Sequence, residues 1–230
     1  MNIFLDIETI PSQDEAFKQK IADSITAPGQ YKKPESIREW LDANRESAAE
    51  EEWRKTSFDG GRGQICVISV AAGDSPVETF YSEDWANSEP QIIAGLFDFL
   101  NRNYDPSRNI PPTFIGHNVV AFDLRFIFQR AAVLGIAPPR FIPFSARPWD
   151  KSVFDTMIQW AGHNGRVSLD KLCEVLNLPR KGSEIGEEID GSMVWDFVRD
   201  GKIAQVAKYC EGDVDRVREI FKRLTFSSAA

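Results

Sequence analysis

Histidine is almost missing from this chain, with only His117 and His163 among 230 residues. That scarcity leaves no material for a histidine-rich metal centre. Cysteine is nearly as scarce: Cys66, Cys173 and Cys210 are odd in number, widely spaced and set among apolar neighbours. They read as reduced core thiols, not as zinc ligands or disulfides. No run approaches the roughly 20 apolar residues that span a bilayer, and the N-terminus enters a strand pattern without a basic-then-apolar leader. The expectation is a cytoplasmic protein with no membrane partner. Positive charge is short as well, because 27 Lys and Arg face 35 Asp and Glu for a net charge of −8. A broad basic surface for coating DNA is therefore disfavoured, and any binding of phosphate must be local or mediated by metal.

What is present is an ordinary globular composition, 42% hydrophobic and 27% charged. Its length suits one domain, 1–230, with or without an insertion. The organising stretch is Asn2-Ile3-Phe4-Leu5-Asp6-Ile7-Glu8-Thr9-Ile10. In an extended strand, residues two apart share a face, so Asp6 and Glu8 project together. Two adjacent anions in an apolar strand repel and resist desolvation unless a cation lies between them. A hard divalent ion such as Mg²⁺ or Mn²⁺ suits such a site. An edge strand with a solvated polar face is the competing explanation, and this stretch alone leaves both open.

After Pro11 a polar stretch runs to Gly63, with helical patterns near Asp14–Ile25 and Pro34–Trp53. It is too long for an ordinary loop and reads as a helical insertion at about 12–63, placed to overhang the carboxylate strand. Gln64–Gly73 and Val77–Tyr81 make a strand hairpin, and Glu89–Asn101 has a helical period. Thr113–Gly116 is a short strand leading into His117-Asn118, and Val120–Leu134 is a helix that stops at Gly135. Val153–Met157 reads as a strand, Ser168–Leu176 as a helix capped by Ser168, and Lys202–Leu224 as a long terminal helix. The order implies a mixed sheet with helices on its faces.

Phe122-Asp123 follows a strand directly, which places Asp123 near a strand's C-terminal end, where ligands of such sheets collect. Tyr209 and Asp213 are four apart and share one face of the terminal helix. Gly212 lies inside that helix at a cost of about 1 kcal/mol relative to alanine, which suggests a close approach of another backbone or of substrate. His117 reads as a structural histidine. In Pro138–Lys151, Arg140, Arg147 and Lys151 interleave with Phe141, Phe144 and Trp149, a pattern that suits a single strand or an ordinary proline-rich loop. Arg180-Lys181 is a further local candidate for backbone phosphates.

Asp6 and Glu8 on a strand, Asn118 with Phe122-Asp123 after a strand, and Tyr209 with Asp213 on the last helix resemble the three exonuclease motifs of the DEDD superfamily. The resemblance implies a ribonuclease H-like fold with a mixed five-stranded sheet. Tyr-x-x-x-Asp resembles the tyrosine subclass, which includes the proofreading domain of family B DNA polymerases. The chain is most similar to small stand-alone relatives of that domain. The resemblance runs from Asn2 to about Leu224 apart from the insertion, which departs from the minimal fold.

The resemblance implies 3′–5′ hydrolysis of phosphodiester bonds with two ions, Mg²⁺ or Mn²⁺. Asp6 would bridge them, Glu8 and Asp213 would complete the site of the water-activating ion, and Asp123 would hold the second. Tyr209 would position the attacking water and help to deprotonate it. Thr9, Asn118 and Phe122 would contact substrate. The expected partner is a single-stranded or frayed 3′ end, DNA ahead of RNA. An exoribonuclease is the second enzymatic expectation, since the fold does not discriminate the 2′-hydroxyl. A catalytically silent module that binds nucleic acid or protein is the third. Retention of four mutually repelling carboxylates argues against that last class.

Overall fold

Strand β1, Asn2–Ile10, lies at the centre of the molecule and sorts its side chains by parity. Ile3, Leu5 and Ile7 enter one hydrophobic cluster, whereas Phe4 and Ile10 enter clusters on the opposite face. Asp6 and Glu8 share the parity of Phe4 and Ile10, as the period of an extended strand requires. Burial of each large aliphatic side chain contributes about 1.5–3 kcal/mol, so the apolar positions fix this register firmly.

In the computed structural model, which describes residues 1–108, 110–187 and 189–227, β1 joins β2 (Gln64–Ala72), β3 (Glu78–Phe80), β4 (Thr113–Gly116) and β5 (Val153–Asp155). Residues 228–230, the tail of the expected domain, lie outside that description. The five strands form one sheet in the order β3-β2-β1-β4-β5. β1 is antiparallel to β2 and parallel to β4, and β4 is parallel to β5. A register shift between Glu8 and Thr9 leaves an extra residue on β2. Such a bulge reverses the alternation, and both Cys66 and Val67 join one cluster while Ile65 and Ile68 join another.

Helices α3 (Glu89–Asn103) and α4 (Asp123–Leu134) cover one face of the sheet. The other is covered by α6 (Leu169–Leu176), α7 (Val194–Arg199) and the 22-residue α8 (Ile203–Leu224). Buried residues at 203, 206, 210, 214, 217 and 220 form the apolar stripe of α8, the 3–4 spacing of a helix laid on a sheet. The mixed α/β sheet flanked by helices is that of the ribonuclease H-like fold expected from the motifs.

Between β1 and β2 the chain forms α1 (Glu15–Ser24), α2 (Pro34–Arg54) and a 3-10 turn, Lys55–Phe58. α1 buries no residue and α2 only Trp53. The pair is tied down at one end, where Trp53 donates to the Ser12 carbonyl at 2.7 Å and meets Trp195 edge-on. Arg54 adds a two-pronged pair with Asp196 at 2.9 and 2.7 Å. Tyr31 packs on Trp40, so these aromatics serve the insertion's own packing.

Two expectations need correction. Val153–Met157 is a strand only as far as Asp155; the next residues form α5, Thr156–Ala161. The cause is a cap, because the Asp155 carboxylate accepts from Met157 N and Ile158 N. The expected helix at Val120 begins at Asp123 instead. The intervening backbone is held elsewhere: Asn118 N and Val120 N both donate to Asp155, at 3.0 and 3.3 Å.

Candidate active site

The site begins where two parallel strands part. Pairing of β1 with β4 runs from Asn2 with Thr113 to Phe4 with Ile115 and goes no further. Beyond it the β4-facing edge of β1 carries a free backbone donor at Ile7. Asp123, the first residue of α4 and only 2% exposed, fills that gap, and its Oδ1 accepts from Ile7 N at 3.2 Å. The carboxyl group is thereby locked against the backbone midway between Asp6 and Glu8.

From the other side comes α8, which presents Tyr209, Cys210 and Asp213 to the same strand. Cys210 Sγ lies 3.4 Å from both the carbonyl oxygen and Oδ2 of Asp6. One candidate ligand atom each from Asp6, Glu8 and Cys210 falls within 4.8 Å of the others. Tyr209 is fully buried, and among the described residues its hydroxyl makes no well-formed hydrogen bond, with the Lys181 ammonium the one donor that acts on it. An orphaned buried hydroxyl costs about 1–3 kcal/mol, so its retention asks for a group that is not protein.

The four carboxylates act on one another. Burial first, then Asp213, pushes Asp6 from 3.8 up to about 7, against the pull of Lys181, Cys210 and Arg216. Burial and then Asp6 hold both Glu8 and Asp123 well above the ordinary carboxylate range. Asp213 is raised by burial, though Lys181 opposes the shift. The Tyr209 phenol is raised too, by burial and then by Glu8. It stays protonated at neutral pH.

The sequence gives no role in this site to Lys181 beyond a possible phosphate contact. Its Nζ makes an ion pair of 2.6 Å with Asp213 Oδ2 and stands 4.7 Å from the centre of the Tyr209 ring. Burial alone would lower its pKa, but Asp213, Tyr209, Glu8 and Asp6 together raise it. The loop that carries Lys181 is clamped to α8 by Arg216, which donates to the carbonyls of Pro179 and Arg180 and pairs with Glu184. That clamp explains Gly212. A Cβ there would meet Glu184 Cδ at 2.7 Å, so the close approach is by a side-chain ion pair, neither a backbone nor a substrate. Asp155 is a second residue missed from sequence, and it acts by positioning the loop that leads to Asp123.

Thr9 is buried, and its hydroxyl donates to Ser57 O at 2.7 Å, which fastens the insertion's exit to the carboxylate strand. Asn118 adopts a left-handed conformation, with φ of 63°; asparagine tolerates this region better than most residues. Phe122 is half-buried between Phe126 and Phe58, at ring distances of 5.6 and 6.4 Å. Phe58, from the insertion, is 70% exposed. His117 is hydrogen-bonded at both ring nitrogens, to Thr156 and to the Val167 carbonyl, and is structural. Phe141 and Phe144 pack on the core, which leaves Trp149 as the exposed aromatic of the basic segment Pro138–Lys151.

Comparison with known proteins bears on the fold and the family. No curated protein matches the chain. Its fold is similar to that of a family B DNA polymerase from the hyperthermophilic archaeon Pyrobaculum calidifontis, with a TM-score of 0.57 and 16% identity. The likeness covers 96% of this chain and 24% of the polymerase, so the chain spans about a quarter of that protein's length. Residues 63–229, well over half of the chain, match a family described as predicted 3′–5′ exonucleases related to the exonuclease domain of PolB. Asp6 and Glu8 lie outside the matched residues and reach Asp123, Tyr209 and Asp213 through the pairing of β1 with β2 and β4. The chain therefore belongs to the family of predicted 3′–5′ exonucleases related to the exonuclease domain of PolB.

Proposed function

We propose that the protein hydrolyses phosphodiester bonds at single-stranded or frayed DNA 3′ ends and that Asp6, Glu8, Asp123 and Asp213 hold two divalent ions, Mg²⁺ or Mn²⁺. The observation that carries this reading is the convergence of four carboxyl groups, each raised above its ordinary pKa by burial. Oxygen donors of this kind suit hard cations, and the unpartnered Tyr209 hydroxyl beside them fits the same view. When bound, the ions would supply charge stabilisation at the phosphate and activation of water.

The chain's own residues then have distinct tasks. Asp6 answers electrostatically to Asp213, while Glu8 and Asp123 answer first to Asp6. Asp123, fixed to Ile7 N, provides a donor that cannot drift. Tyr209 keeps its proton, so it directs a water by hydrogen bonding while its ring excludes bulk solvent. Asn118 and Phe122 line the approach on the β4 side, and Phe58 widens the aromatic surface there. Stacking on such faces is tolerant of base identity.

A 5′-labelled single strand tests the proposal. In Mg²⁺ the label should pass through a ladder of progressively shorter products in DNA, and less in RNA of the same sequence. Immediate release of a labelled mononucleotide would reverse the polarity, and an unchanged strand would remove the activity.

A further inference from the structure

Among the described residues two cations act on the site, Lys181 on Asp6, Glu8 and Asp213 and Arg216 on Asp6 and Asp213, and these differ in how firmly they are held. Arg216 is only 5% exposed and all three of its nitrogens are engaged: Nε by the Pro179 carbonyl, one terminal nitrogen by Glu184 and Asp213, the other by the Arg180 carbonyl, Ser183 and Glu184. It cannot leave without dismantling the loop. Lys181 is different. Its side chain is 25% exposed and its ammonium reaches Asp213 Oδ2 at the end of a flexible four-carbon stem. Its backbone is fixed by the Arg216 clamp on Arg180 and by the turn at Gly182, where φ is +74°. A change of side-chain rotamer therefore withdraws the charge while the loop stays in place.

Both Asp213 oxygens are occupied by these cations, Oδ1 by Arg216 at 3.3 Å and Oδ2 by Lys181 at 2.6 Å. The carboxylate expected to bind metal thus arrives already paired. We infer that Lys181 is a displaceable internal counter-ion: its ammonium holds the carboxylate cluster together when metal is absent, and metal binding at Asp213 must expel it toward solvent. A carboxylate oxygen has spare lone pairs, so Asp213 can pass from one cation to the other without moving. An ammonium left beside a divalent ion would repel it across a few ångströms in a poorly screened site. Occupancy of the site by Lys181 and by metal is therefore mutually exclusive, and affinity for metal is lower than the carboxylates alone would give. This inference rests on the metal-binding reading of the site proposed above.

The test is Mn²⁺ titration by calorimetry, with metal-free melting curves, on wild type, Lys181→Met, Lys181→Arg and Asp6→Asn. Lys181→Met should melt lower without metal and bind Mn²⁺ more tightly by about tenfold or more, the scale on which a unit charge acts on a neighbouring divalent ion. Lys181→Arg, which keeps the charge, should bind no more tightly than wild type, and a merely structural lysine would not produce that contrast. Should Lys181→Met fail to fold, amine labelling of wild type read by mass spectrometry takes its place. Lys181 should be shielded without metal and label faster in saturating Mg²⁺. Equal Mn²⁺ affinity in Lys181→Met and wild type, or a labelling rate indifferent to Mg²⁺, overturns the counter-ion and leaves the metal site intact. Absence of Mn²⁺ binding in wild type, or binding undiminished in Asp6→Asn, overturns the reading of the site itself and this inference with it.

Discussion

Replacing Asp6 by asparagine should make the metal-free protein more stable at alkaline pH, although it removes a residue at the heart of the site. In the folded chain this carboxyl is pushed from 3.8 up to about 7, by burial and then by Asp213. A carboxyl raised in this way binds more protons folded than unfolded, so its contribution to stability declines as pH rises from about 4 through 7. At about 1.36 kcal/mol per pH unit, the interval between 3.8 and about 7 sets a ceiling of about 4 kcal/mol on the stability lost by pH 8. Asparagine keeps the shape and an acceptor for Cys210 Sγ but never ionises. Each kcal/mol corresponds to about 2–4 °C in a domain of this size. The assay is thermal melting of both proteins in chelator at pH 4 and pH 8. Nearly coincident midpoints at pH 4 and a variant several degrees above wild type at pH 8 are expected, with Mn²⁺ raising only the wild type. An Asp6→Asn variant that melts at or below wild type at pH 8, after matching it at pH 4, refutes the electrostatic account.

Tyr209→Phe should fold and bind Mn²⁺ like wild type but lose about 10- to 100-fold in single-turnover rate; an unchanged rate takes the hydroxyl out of the reaction. Gly212→Ala adds helix propensity worth about 1 kcal/mol, yet its methyl would strike Glu184, so urea unfolding should show a net loss of about 1–3 kcal/mol. A gain in that experiment would mean that the Glu184–Arg216 clamp yields easily. Rates should be far higher on a single strand than on a matched blunt duplex, because the site lies where strands part and each unpaired step opposes stacking of about 1.4 kcal/mol. Equal rates in Mg²⁺ under single-turnover conditions would falsify that expectation.

The fold was legible because its strongest elements obey short-range rules. The alternation in Asn2–Ile10 sends Asp6 and Glu8 to one face, and the four-residue interval puts Tyr209 and Asp213 on one face of α8. What escaped depends on contacts remote in sequence. Lys181 enters the site only because Arg216, 36 residues from Arg180, fixes the loop, and no local period announces such a tie. Asp155 looked like the middle of a strand, since its capping of α5 and its hold on Asn118 and Val120 are tertiary facts. α7 has six residues, too few for a helical period to stand out. Gly212 stands out as a glycine inside a helix, but the object passing it is the loop's Glu184 side chain, paired with Arg216 of α8 itself.

The most direct test of the central claim is the anomalous scattering of Mn²⁺ in crystals of the protein. The account predicts peaks within about 2.0–2.3 Å of carboxylate oxygens of Asp6 and its neighbours Glu8, Asp123 and Asp213, lost in Asp6→Asn. Peaks at other carboxylates with this cluster empty, or peaks here that persist in Asp6→Asn, would contradict it.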